Sequence, residues 1–168
     1  DLQGALEAAE KAVLADPTSN LATLRKAELL IDLGLRGDDD EQVAEAVALV
    51  AAVTAKDPSS AEAAFVRGKA AIATGNPEKA VEALRDAIAG KPDWAQAHFV
   101  LGSALLMTRD LHRSRAELAR AVELNAGLMP ARKLLAQVHA ELGEHEYAIQ
   151  NGRRYLQGKP EDDATRIL

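Results

Sequence analysis

The sequence predicts an all-α fold made of repeated antiparallel helix hairpins, and three observations carry that expectation. Hydrophobic residues make up 48% of the 168-residue chain but aromatics only 3%, so the apolar content is chiefly alanine, leucine and valine. Those side chains form or tolerate helices, and small ones let helices approach closely. Secondly, no stretch sustains the period-two alternation of β-branched and aromatic residues that a strand needs. The third observation is self-similarity at a single period of about 34 residues. Pro58 and Pro92 stand one period apart, and Pro160 falls on the same ladder with Ala126 on the rung between. Gly68, Gly102 and Ala136 keep that step, as do Ala80, Ser114 and Ala148, and the pair Leu84 and Leu118.

Taken in chain order, residues 1–17 match only the second half of a unit, with Ala5, Ala9 and Ala12 leading to Pro17. Residues 18–60 form the first whole unit. The step from Pro17 to Pro58 exceeds the period by seven positions. The surplus is placed at residues 35–41, Leu35 to Glu41, as an enlarged hairpin loop. In the next unit, residues 61–94, Ser59-Ser60-Ala61-Glu62 reads as a capping box opening a helix to about Thr74. Gly75 stops that helix. Asn76, Pro77 and Glu78 restart the chain as N-cap, first-turn proline and first-turn acid.

In the unit of residues 95–128, Asp93 is expected to cap a helix bearing Ala97, Val100, Leu101, Ala104 and Leu105 at helical spacing. Arg109 and Asp110 make the turn, and the following helix carries Leu111, Leu118, Ala121 and Val122. Residues 129–162 repeat the scheme with Leu142-Gly143-Glu144 at the hairpin, and Gly152 and Tyr155 exchange sizes relative to Leu84 and Ala87. Residues 163–168 read as the start of a further helix. The chain therefore opens and closes in mid-repeat, as a segment of a longer protein would.

Charge and composition exclude several functions. The formal net charge is −6 and the pI about 5.3, without the basic stripe that phosphate binding needs, so nucleic acid is not an expected partner. No run of about 18 apolar residues exists to insert into a membrane. Cysteine is absent, which removes disulfide and thiolate chemistry and leaves the compartment open. His139 and His145 with Glu141 and Glu144 lack metal-ligand spacing because Gly143 interrupts the helix between them. Asp38, Asp39, Asp40 and Glu41 read as helix-start acids rather than a calcium loop. Arg109, Arg113, Arg115 and Arg120, joined by Arg132, read as a solvated basic face. No phosphate cradle and no serine nucleophile with matched base is present, so neither cofactor nor catalysis is expected.

The repeat resembles the tetratricopeptide family, whose pattern is W-x2-L-G-x2-Y, then A-x3-F, then a closing proline. The matching residues are Arg67-Gly68, Ala71, Ala80, Leu84, Ala87 and Pro92, then Leu101-Gly102, Leu105, Ser114, Leu118 and Ala121. The small columns are kept, whereas the aromatic columns hold Leu, Ala or His, and Arg67 replaces a leucine. The resemblance implies a right-handed α-solenoid, a TPR-like superhelix, that binds a protein or peptide and is not an enzyme.

It also implies that the first helices of successive units line a concave groove. By column, that groove would take Leu24, Glu28 and Ile31, then Phe65, Lys69 and Ile72, then Phe99, Ser103, Leu106 and Met107, and finally Lys133 and Gln137. The columns used by chaperone-binding relatives for a carboxylate clamp hold Leu24, Glu28, Val66, Gln96 and Val100, or Phe65, Lys69, Val100, Pro130 and Leu134, and neither set supplies the cations and amides of such a clamp. An alternative expectation is a structural, spacer or homo-oligomerisation segment of a larger bacterial secretion, envelope-assembly or exopolysaccharide-export protein. The alanine-rich style is similar to bacterial members.

Overall fold

The computed structural model describes residues 1–158, which form helices and short turns with no strand among them. They divide into two compact units at the Pro92 rung. The first unit, through Lys91, holds α1 (Leu2–Ala15), α2 (Asn20–Gly37), α3 (Asp40–Lys56), α4 (Ala61–Ala73) and α5 (Pro77–Gly90). The second holds α6 (Ala95–Met107), α7 (Leu111–Leu124), α8 (Met129–Glu141) and α9 (His145–Gly158). Within the first unit α2 packs on α1, α3 and α4, and α4 on α3 and α5. Within the second, α6 pairs with α7 and α8 with α9, while α8 also meets α7 and α6. No described helix is long and apolar enough to cross a membrane.

The glycine and leucine columns explain why each hairpin closes tightly. A Cβ on Gly68 would lie 2.5 Å from Leu84 Cγ, and one on Gly102 would lie 2.6 Å from Leu118 Cγ. Each leucine therefore seats in the notch left by a missing side chain on its partner helix. Ser114 fits the small column in a second way: it is fully buried and its hydroxyl donates to the Gly102 carbonyl at 2.7 Å. Such buried hydroxyls are tolerated because the hydrogen bond is made.

The turns repeat as faithfully as the helices. After α4, Gly75 N–H donates to Ile72 and Asn76 N–H to Ala71, the two bonds of a Schellman stop. The same pair recurs from Arg109 to Leu106 and Asp110 to Leu105, and from Gly143 to Ala140 and Glu144 to His139. The residue at the left-handed position is Gly75 (φ +70°), Arg109 (φ +63°) and Gly143 (φ +76°) in turn, and Asp38 (φ +54°) in the first hairpin.

The first hairpin departs from the sequence expectation. Residues 35–41 are not an enlarged loop: α2 runs to Gly37, α3 starts at Asp40, and only Asp38 and Asp39 lie between. Counted to the left-handed residue, Pro17 to Asp38 is four residues longer than Pro58 to Gly75, and Asp38 to Pro58 is three longer than Gly75 to Pro92. Each arm of the hairpin has thus gained about one turn of 3.6 residues, which preserves the phase of both buried faces.

Two caps also differ. Ser60 rather than Ser59 caps α4, its hydroxyl accepting from Ala63 N–H at 3.1 Å, while Glu62 pairs with Lys91. Trp94 rather than Asp93 occupies the N-cap of α6, one period after Ser60, and the Asp93 carboxylate pairs instead with Arg120 on α7 at 2.9 Å. The Pro160 rung, the end of the last unit and the helix start expected at 163–168 lie outside the described residues.

Candidate functional site

In the first unit the expected groove residues sit on α2 and α4. Leu24, Ile31 and Phe65 are buried, Ile31 completely, and Ile72 is half-buried. The polar members are tied together: Lys69 Nζ lies 3.1 Å from Glu28 and 2.8 Å from Asp32, and Arg25 holds the other oxygen of Glu28 at 2.9 Å. This face is therefore a packed floor under an ion-paired surface.

The second unit presents a more open face on α6 and α8. Met107 is 48% exposed, while Phe99, Ser103 and Leu106 are half-buried. Phe99 and Leu106 rest on a core of Leu118, Ala121, Ala131, Leu135 and Val138, so each is held in place while keeping an accessible edge. Around them, Gln137 donates to Glu141 at 3.0 Å, Arg109 reaches the same carboxylate at 3.0 Å, and Lys133 stands 5.6 Å from the Tyr155 ring centre. Apolar centres within a polar rim are what a peptide-binding surface offers.

His98 and His139 serve packing. His98 is buried, with Nδ1 2.7 Å from Glu117 and Nε2 2.9 Å from the Pro92 carbonyl, so it ties α6 to α7 and to its own leading turn. His139 stacks on Tyr147 with ring centres 5.4 Å apart and lies 2.5 Å from Glu144. That hydrogen bond, with the Arg115 charge behind it, holds the Glu144 carboxyl below the usual range. Among the described residues no cluster of His, Asp or Glu is placed to hold a metal ion.

The basic face divides. Arg109, Arg113, Arg115 and Arg120 are each paired with an acid: Glu141, Asp110, Glu144, and Asp93 with Glu123. Arg132, expected on that solvated face, is buried instead. It stands one period after His98 and repeats its role, Nε donating at 3.1 Å to the carbonyl of Ala126, itself one period after Pro92. The counterpart of Glu117 is Asn151, which bonds to the Tyr147 carbonyl of its own helix. Among the described residues Arg132 Nη1 is left buried with no hydrogen-bond partner, and burial, then the Arg154 charge, lowers its affinity for a proton.

One surface was missed by the column argument. Between α3 and α5, above α4, runs a groove of about 640 Å³ whose walls include Val47, Ala51, Ala55, Ala70 and Ala83. The signal was present in the sequence as an α3 stretch without charge from Ala46 to Ala55.

A tetratricopeptide repeat model matches three times, at residues 32–93, 67–128 and 99–163. No curated protein matches the chain in sequence. Among solved structures, TTC0263, a TPR protein of Thermus thermophilus, is 22% identical with a TM-score of 0.79, covering 99% of this chain and 87% of that one. MamA of Desulfovibrio magneticus RS-1 is 17% identical with a TM-score of 0.72, covering 96% of this chain and 88% of that one. YrrB, described as a TPR protein with an unusual peptide-binding site, is 17% identical with a TM-score of 0.71, covering 99% of this chain and 82% of that one. At these identities the likeness concerns the fold. The family matches overlap one another and together span residues 32–163, and the chain belongs to the tetratricopeptide repeat family.

Proposed function

We infer that the chain is a non-catalytic scaffold that binds a protein partner through an extended or helical peptide segment. The family membership supports the protein-binding part of this reading, and the solved YrrB structure shows that a related fold has a peptide-binding site. The observation that carries the finer part is the α6/α8 face: Met107 is exposed at the end of the helix that also bears the half-buried Phe99 and Leu106, with Ser103 and Gln137 offering hydrogen bonds. Burying one such apolar anchor contributes roughly 1.5–3 kcal/mol, and an amphipathic segment with apolar residues on one side matches this pattern. Glu28, Lys69, Leu24, Ile31 and Phe65 support the fold of the first unit in this reading, and the partner is engaged chiefly by the second.

The test is affinity purification with the wild-type chain and with Met107→Glu, circular dichroism serving as the control for folding. Loss of the partner with helicity intact is the expected result. An unchanged set of partners would overturn the assignment of this face. The reading as a spacer or oligomerisation segment of a larger bacterial protein draws on a different observation, the outer face of α3.

A further inference from the structure

Helix α3 has two apolar faces. Val43, Ala46, Val50 and Val53 are buried inside the first unit. Ala44, Val47, Ala48, Ala51, Ala52 and Ala55 follow the same i, i+3, i+4, i+7 spacing on the opposite side, and all six are exposed, Val47 at 40%. The ten residues from Ala46 to Ala55 carry no charge. A helix apolar on both sides is normally covered on both sides. Neighbouring outer faces show the contrast: α5 exposes Glu78, Lys79, Glu82, Arg85 and Asp86. The same hairpin holds the seven-residue surplus, so the uncharged face is also longer than the repeat requires.

We propose that this face of α3 is a self-association surface that pairs antiparallel with α3 of a second copy of the chain. The choice of occupant rests on charge. The helix has Asp40 and Glu41 at its N-terminal end, beside Glu45 that Lys26 of α2 holds at 2.6 Å, and Lys56 at its C-terminal end, with the uncharged stripe between. About a two-fold axis near the middle of the stripe, the acidic end of each helix falls over the Lys56 end of the other. A single patch is thereby made complementary to itself, as a two-fold dimer requires, and the two helix dipoles are opposed. Alanine at the contact lets the axes come close, and the groove beside α3 leaves room for the partner helix to settle against Val47 and Ala51. One helix face is a small interface, so the dimer is weak and concentration-dependent.

Sedimentation equilibrium of the full chain from micromolar concentrations to roughly 1 mM tests this. A monomer–dimer equilibrium is expected, with Ala51→Glu or Ala48→Lys weakening association by roughly tenfold or more while helicity is unchanged. Met107→Glu should leave it unaffected, which separates this surface from the peptide-binding face. Because the chain has no cysteine, Ala44→Cys mixed with Ala55→Cys should cross-link more readily than Ala44→Cys alone. A monomer throughout the range, a dimer indifferent to both charged substitutions, or preferred cross-linking of Ala44→Cys to itself would overturn the proposal.

Discussion

Arg109 occupies a left-handed backbone position (φ +63°) that the flanking hairpins give to Gly75 and Gly143. An L-residue there costs roughly 1–2 kcal/mol, against a few tenths for its exposed ion pair with Glu141. Arg109→Gly should therefore stabilise the chain by roughly 1 kcal/mol, seen as a higher urea midpoint at constant slope. Arg132 is the reverse case, a buried cation without, among the described residues, the carboxylate that His98 finds in Glu117. Placing that carboxylate by Asn151→Glu should stabilise the chain by about 1 kcal/mol or more, read as a higher urea midpoint; no gain would mean the two columns do not share geometry. Glu144 sets a pH dependence. Its folded carboxyl is held low by the His139 hydrogen bond and then by the Arg115 charge, so its contribution is present above the ordinary carboxylate range and is lost as pH falls through the folded value. Glu144→Gln should destabilise at pH 7, with the difference from wild type narrowing as pH falls below the ordinary carboxylate range.

Among elements, the notch between paired helices gives the sharpest test. Glycine to alanine inside an exposed helix gains about 1 kcal/mol, but at Gly102 the new Cβ would fall 2.6 Å from Leu118 Cγ. Gly102→Ala should therefore lower the melting temperature, and Gly102→Leu should cost roughly 1–3 kcal/mol or more. The existence of these hairpins was legible in the sequence because Gly68 and Gly102, Leu84 and Leu118, and Ala80 and Ser114 are paired contacts repeated at one spacing. The first hairpin was misread because counting rungs locates surplus residues without saying whether they are helical. Four and three residues each make close to one turn, so α2 and α3 absorb them while keeping Leu30, Ile31, Val43 and Ala46 buried. Capping failed at Asp93 and at Ser59 alike, because both stand one residue before the column, Ser60 and Trp94, that the fold uses as N-cap.

For the whole molecule, the candidate groove was legible as columns but not as a surface. A column says which residues share a helix face, whereas exposure depends on what the neighbouring hairpin covers. Thus Ile31 and Met107, both placed on the concave face by sequence, differ from completely buried to 48% exposed. The outer face of α3 shows the converse, since its uncharged run was visible in the sequence and only the packed fold reveals it as uncovered. Two separate surfaces are thus proposed, α6/α8 for a partner peptide and α3 for a second copy. Amide hydrogen exchange of the full chain, with and without the partner recovered by the wild-type protein, tests this separation most directly. Added protection in residues 95–107 and 129–141, with none in α2 or α4, is the predicted result. Protection confined to the first unit, or absent from α6 and α8, would contradict it.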